Sequence, residues 1–274
     1  MRLPRLRTLM LAPVVLFALF YASMALLHAL DDRTVPPGEI TASYHETIAI
    51  FGASGTAGDG ILKAALAEPA IRAIHVFTRR ETPRIREGVA SGKVQMTLHM
   101  NYLDYSAIHD QIETVDAVYW AIGTSTFGVD EKTYGMIHVD FPSQFVKEWL
   151  SASSKPVISF HYISSSDISP DSSAMWAREK ARAERELLKI SAGTKLRSIF
   201  YRPDYIGPTA EQAHLGQKLL YWFFAPVNAS VKATEIGQAM IEVSGRGPEL
   251  SSGATLNTGK IIRYSKAYEQ RKIH

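Results

Sequence analysis

The chain has 274 residues, 46% of them hydrophobic and 21% charged, with a formal net charge of +3 and no cysteine. That length suits one large α/β domain or two small ones, and the composition excludes collagen, wholesale disorder and a multi-span membrane protein. The missing cysteines exclude a disulfide framework, cysteine-ligated zinc and thiol catalysis. The charge excess lies in Arg2, Arg5 and Arg7, since residues 31–274 carry 27 basic and 27 acidic side chains, so no nucleic-acid-binding surface is expected.

Residues 8–30 (TLMLAPVVLFALFYASMALLHAL) contain no charge. As a helix they span roughly 34 Å at about 1.5 Å per residue, enough for a hydrocarbon core of about 30 Å. Residues 1–30 are therefore expected to form a single N-terminal transmembrane anchor. Three alternatives stay open at this level. One is a signal peptide cleaved near Ser23-Met24-Ala25, leading to secretion; its apolar run is usually only about 7–15 residues. The others are a mitochondrial transit peptide, given the acid-free arginine-bearing start, and a buried core helix. The positive-inside rule puts the folded part across the membrane, whereas the lack of cysteine fits a reducing compartment. The sequon Asn228-Ala229-Ser230 is usable only on the lumenal side. Residues 31–46, with Pro36-Pro37-Gly38, read as a linker.

From Thr47 onward, short apolar runs alternate with helical ones. Residues 47–51, 74–77, 94–98, 117–121, 157–163 and 196–201 are strand-like. Residues 56–67, 131–150 and 174–189 have helical spacing. In the last of these, Glu179, Arg182 and Glu186 read as a solvated face. The alternation predicts an α/β fold, a doubly wound parallel sheet over residues 47–207. A smaller, helix-rich C-terminal part on the substrate side is expected over residues 208–274. There, residues 219–224 (LLYWFF) read as a core helix under the sheet edge, with a substrate-pocket wall or a membrane-contacting surface as alternatives.

The main chemical signal is Gly52-Ala53-Ser54-Gly55-Thr56-Ala57-Gly58, directly after the first strand and opening the first helix of the folded part. Gly52 permits the tight turn, Gly55 lets the backbone approach a pyrophosphate, and Gly58 lets helix and strand pack closely. The helix start then offers unpaired N–H groups and a partial positive charge to phosphate, with Ser54 and Thr56 beside it. After the second strand, a carboxylate would bind a free ribose 2′-hydroxyl and select NAD. This chain has Thr78-Arg79-Arg80, which suits a 2′-phosphate and points to NADP(H). The histidines, including His75, His99, His109, His138, His161 and His214, form no metal-ligand spacing. His161 is expected either under a helix or facing the pocket. Asp167 and Asp204 stand near strand ends, as site or helix-capping residues.

Together, the GxxGxxG turn, the Thr-Arg-Arg strand end and Ala121-Ile122-Gly123-Thr124 after the fourth strand resemble the atypical short-chain dehydrogenase/reductase superfamily. The closest resemblance is to its Tat-interacting-protein-like branch, over about residues 47–207. The resemblance implies a Rossmann fold, with Arg202-Pro203 near the substrate side and Asn101-Tyr102 near adenine. It also implies a serine after the fifth strand, supplied by Ser164, Ser165 or Ser166, and a Tyr-x-x-x-Lys pair on the next helix. Lys180 fills the lysine slot, where it would hold the nicotinamide ribose, but Trp176 stands where the proton-relaying tyrosine belongs. An indole donates a hydrogen bond without relaying a proton, so Tyr162 or the serine hydroxyls would have to polarise a carbonyl. The literal Tyr268–Lys272 match lies outside the core and reads as coincidence. The expected activity is NADP-dependent oxidoreduction of a small apolar carbonyl or alcohol. A non-catalytic NADP(H)-binding regulator and a non-redox isomerase or lyase are the alternatives.

Overall fold

A computed structural model describes residues 6–36 and 38–273, so Arg2, Arg5 and Pro37 lie outside the described residues. The apolar runs become strands β1 (Thr47–Phe51), β2 (Ala73–Thr78), β3 (Val94–Leu98), β4 (Ala117–Trp120), β5 (Ile158–Ile163) and β6 (Leu196–Arg202), followed by the short β7 (Tyr205–Gly207), β8 (Ser230–Lys232) and β9 (Thr255–Asn257). The helices are α1 (Leu6–Ala29), α2 (Thr56–Ala67), α3 (Pro83–Ala90), α4 (His109–Ile112), α5 (Glu131–Gly135), α6 (Phe141–Ala152), α7 (Met175–Ser191), α8 (Leu215–Phe224), α9 (Ala233–Gly245) and α10 (Thr258–Ile273).

Seven strands pair in the order β3-β2-β1-β4-β5-β6-β9, all parallel, and β7 and β8 make a separate two-stranded ribbon. This is the doubly wound Rossmann arrangement. Helices cover both sheet faces, which explains why β4 and β5 are buried along their whole length. The two-residue period of β1 divides its side chains between two cores. Ile48 and Ile50 join Val76, Ile236, Met240 and Ile261 beneath α2, α9 and α10. Phe51 joins Phe77, Trp120, Phe145, Trp149 and Phe160 on the other face, with its ring centroid 4.5–4.9 Å from those of Phe145, Trp120 and Phe77.

The C-terminal segment is integral to the sheet domain. Residues 255–257 supply the sheet's edge strand, and α9 packs along α2. The 31–46 stretch is docked on the domain: Thr41 N–H donates to Gly245 O at 2.8 Å, and Arg246 donates to Pro36 O at 2.9 Å. The expected solvated face of α7 is overturned at Glu179, which is buried against Gly135 and ion-paired with Arg182 at 2.5 Å.

The helical run expected over 131–150 is one rod interrupted by a π turn, Met136–Asp140. Pro142 is the cause. It lacks the N–H that His138 O would accept four residues on, and Tyr162 supplies the missing donor from β5, O–H to His138 O at 3.0 Å. α1 leaves the domain with residues 11–29 unburied, which rules out the core-helix alternative for this segment. The core-helix expectation for residues 219–224 fails as well, because α8 has no buried residue.

Candidate active site

The chain leaves β1 toward one sheet edge and β4 toward the other, opening a crevice at their C-terminal ends. A cleft of about 400 Å³ fills that position. One wall is Gly52, Ser54 and Gly55, a second is Thr78, Arg79 and Arg80, and the third is residues 121–124 with Ile137, Phe141 and Tyr102.

The glycine turn is dictated by packing at two of its three glycines. Gly52 has φ +82°, and a Cβ there would lie 2.6 Å from the Ala121 carbonyl group. A Cβ on Gly58 would stand 2.0 Å from Gly52 O, so only glycine lets α2 sit this close to the turn. Gly55 differs: its Cβ would meet only Gly52 O, at an ordinary 3.4 Å. The protein itself leaves that position free, and the open side faces the cleft. Gly55 is also the N-cap of α2 and offers no side-chain oxygen, so the first-turn N–H groups stay available to an anion. The one carboxylate in that turn, Asp59, is buried and bonded to Arg84 at 2.8 Å and Thr209 at 2.7 Å.

At the end of β2, buried Thr78 folds the chain back, its hydroxyl donating to Arg80 O at 2.8 Å. Arg80 donates to Ser54 O at 3.2 Å and ties this strand end to the glycine turn. Arg79 is exposed and pairs with no carboxylate among the described residues. No acidic side chain lines the cleft. Tyr102 is buried, stacks on Phe141 at 5.5 Å and has its phenol pushed up by burial. Asn101 instead turns into its own loop, its Oδ1 accepting from Leu103 N–H.

β5, the π turn and α7 carry the second group of expected side chains; of their residues only Ile137 lines the cleft, and His138 reaches its edge through Thr124. Ser164 directly follows β5, held by its N–H donating to Tyr201 O at 2.7 Å. Its buried hydroxyl has no partner among the described residues. Ser165 is half-buried, and Ser166 N–H donates to Pro203 O. Lys180 Nζ donates to Ile163 O at 2.8 Å and lies 4.9 Å over the Tyr162 ring. Burial lowers its pKa to about 7, against the pull of Glu184. Trp176 sits half-buried in the first turn of α7.

His138 belongs to this group and was not expected there. Its Nε2 accepts from Thr124 N–H at 3.3 Å, its ring lies 4.1 Å from that of Tyr134, and its buried Nδ1 has no partner. Burial, aided by Lys180, lowers its pKa to about 2, so the imidazole is neutral. The readable signal was Pro142, four residues after a histidine inside a helical run.

Several other expected positions fall elsewhere. Tyr162 is fully buried, its hydroxyl spent on His138 O and its pKa pushed well up by burial, so it polarises no substrate. His161 lies under α9, bonded to Tyr201, Ser159 and Ser244. Asp204 accepts from Thr258 Oγ1 at 2.7 Å and fastens the start of α10. Asp167 is exposed at φ +55°. Arg202 is paired with the buried Glu184 of α7. Tyr268 and Lys272 lie on α10 at the far end of α2, where Lys272 Nζ donates to Ala67 O.

No family model and no curated protein matches this chain. Solved structures do match its shape. A UDP-glucuronic acid 4-epimerase from Bacillus cereus, in complex with NAD, superposes with a TM-score of 0.60 at 13% identity, over 77% of this chain and 76% of that one. A short-chain dehydrogenase/reductase family oxidoreductase from Burkholderia thailandensis gives 0.63 at 16% identity, over 79% and 92%. A 3-oxoacyl-[acyl-carrier protein] reductase from Brucella melitensis gives 0.60 at 16% identity, over 80% and 97%. At these identities the likeness is one of fold, a Rossmann architecture.

Proposed function

We propose that this chain is a membrane-anchored, NADP(H)-dependent oxidoreductase of the short-chain dehydrogenase/reductase kind, related to the Tat-interacting-protein-like branch, acting on a small apolar carbonyl or alcohol. The observation that carries the reading is the cradle in which Gly52 and Gly58 are sterically obligatory while Gly55 leaves open space beside free helix N–H groups. The residues present fit a dinucleotide. Ser54, Gly55 and Thr56 would hold the pyrophosphate, and Arg79 and Arg80 the 2′-phosphate. Tyr102 would wall the adenine side. When bound, the reduced nicotinamide supplies the hydride that turns the carbonyl into an alkoxide.

The chain's own groups then handle orientation and the proton. The unpartnered Ser164 hydroxyl, with Ser165 beside it, donates a hydrogen bond to the substrate oxygen. Trp176, half-buried in the first turn of α7, relays no proton. Lys180, with a pKa of about 7, is the group at this end suited to exchanging a proton near neutrality, since His138 is held neutral and Tyr162 protonated. In this reading Lys180 acts in place of the tyrosine relay, and reduction slows as pH rises through about 7. α1 ties the domain to a membrane, supported by its 19-residue apolar stretch.

Trp176 favours a second reading, a regulator that binds NADP(H) without turnover. The two separate in a carbonyl-reduction screen run with the wild type, Lys180→Met and Trp176→Tyr. An enzyme gives wild-type turnover that Lys180→Met abolishes. A regulator gives none in either Lys180 form, and Trp176→Tyr leaves it silent.

A further inference from the structure

We infer that α8 is a second membrane element, an amphipathic helix lying in the plane of the bilayer surface beside the root of α1. This rests on the reading of α1 as a retained anchor. The inner side of α8 holds it to the domain. The Tyr221 ring covers Gly207, Ser230 Oγ donates to Tyr221 O at 3.2 Å, and Phe224 packs near Tyr205. The outer side carries Leu215, Leu219, Trp222 and Phe223 at helical spacing, with Leu220 next to them, all exposed; Leu215 is 72% and Trp222 64% accessible. An apolar outer face of this extent calls for cover that water does not provide.

The position of α1 identifies that cover. Tyr21 O–H donates to Phe223 O at 2.6 Å, and the two rings stack at 5.4 Å. Tyr21 lies eight residues before Ala29, the end of α1, so it sits about 12 Å inside the helix at about 1.5 Å per residue. A bilayer that accepts residues 11–29 must therefore also receive Phe223 below the point where α1 leaves the hydrocarbon. Interfacial helices bury their apolar face by roughly 5–10 Å, and the Phe223 contact, about 12 Å along α1, puts the C-terminal end of α8 at about that depth or slightly below it. Exposed Lys218 and Lys232 flank the helix where headgroup phosphates lie, and Trp222 occupies the interfacial position that tryptophan favours. The occupant of this face is thus the same bilayer that α1 enters.

Trp222 provides the test, because Trp120 and Trp149 are fully buried and Trp176 is half-buried. Full-length protein and its Trp222→Phe variant are reconstituted into phosphatidylcholine vesicles with or without bromine at mid-acyl positions. An alkaline carbonate wash scores integration in parallel. The expected result is a carbonate-resistant chain whose wild-type-minus-variant emission falls at least about twofold on brominated lipid, as a tryptophan at acyl depth requires. Unchanged difference emission in a carbonate-resistant chain overturns the inference while the anchor stands, and leaves a second protein copy as the cover. A chain that washes off removes the anchor reading, and α8 as a membrane element falls with it.

Discussion

The two halves of the candidate site, the cleft lined by the glycine turn and the β5–α7 group outside that lining, are built by different means. The half at β1, β2 and α2 is a backbone device. Its shape follows from Gly52 and Gly58, where a Cβ would strike main-chain atoms at 2.6 and 2.0 Å, and from a helix start without a side-chain cap. The half at β5, the π turn and α7 is a side-chain device, made of an unpartnered serine, a lysine of lowered pKa, a neutral histidine and a tryptophan. Backbone constraints tolerate almost no substitution, whereas side-chain sets can be exchanged on an unchanged frame. In the proposed reading the frame fixes the nucleotide end, and the chemistry falls to Ser164, Trp176 and Lys180.

The largest expected effect tests the backbone half. Gly58→Ala forces α2 off the turn, and overpacking of this kind costs about 1–3 kcal/mol or more, so NADPH affinity falls by up to about 100-fold and the melting temperature drops with it. Gly55→Ala sharpens the point. Its Cβ meets only ordinary contact, so thermal stability stays near wild type while nucleotide binding weakens. A matched loss of both in Gly55→Ala would contradict the idea that this glycine serves the ligand.

Next in size is Arg79→Ala, which removes an unpaired cation from the cleft rim. A charge-assisted hydrogen bond contributes about 1.5–3 kcal/mol, so NADPH binding should weaken by about 10-fold or more, with NADH unaffected. The side-chain half answers to pH. His138 keeps a folded pKa of about 2, below its unfolded value of 6.5, so the folded state refuses a proton that the unfolded chain accepts. Stability therefore drops as pH falls below 6.5, and His45 and His161, also lowered by burial, act in the same direction. His138→Gln should flatten that decline by about 1.4 kcal/mol per pH unit, read from denaturant melts between pH 6.5 and 4.5. An unchanged slope would mean that His138 is protonated in the folded state.

The same division explains what the sequence disclosed. Six of the seven sheet strands and the glycine turn were legible, because buried parallel strands are apolar runs and the turn needs glycine at set spacing. β9 was missed because three residues at a sheet edge carry no periodicity. The π turn was hidden because its cause is one proline in an otherwise regular helix, and its consequence, His138 beneath Thr124, needs a partner from β5. Tyr162 was misassigned because period-two alternation does not reveal which sheet face holds the pocket. The stretch LLYWFF looked like core, and only the fold reveals that nothing in the domain covers its outer side.

The ligand proposed for the cleft is a dinucleotide bearing a 2′-phosphate. The most direct measurement is titration of the detergent-solubilised full-length chain with NADPH and NADH, followed by nicotinamide fluorescence, in wild type and Arg79→Ala. Saturable NADPH binding at least about 10-fold tighter than NADH is expected, with the preference lost in Arg79→Ala. Equal affinity for the two nucleotides would contradict the role of Arg79 and Arg80, and binding of neither would contradict the cradle itself.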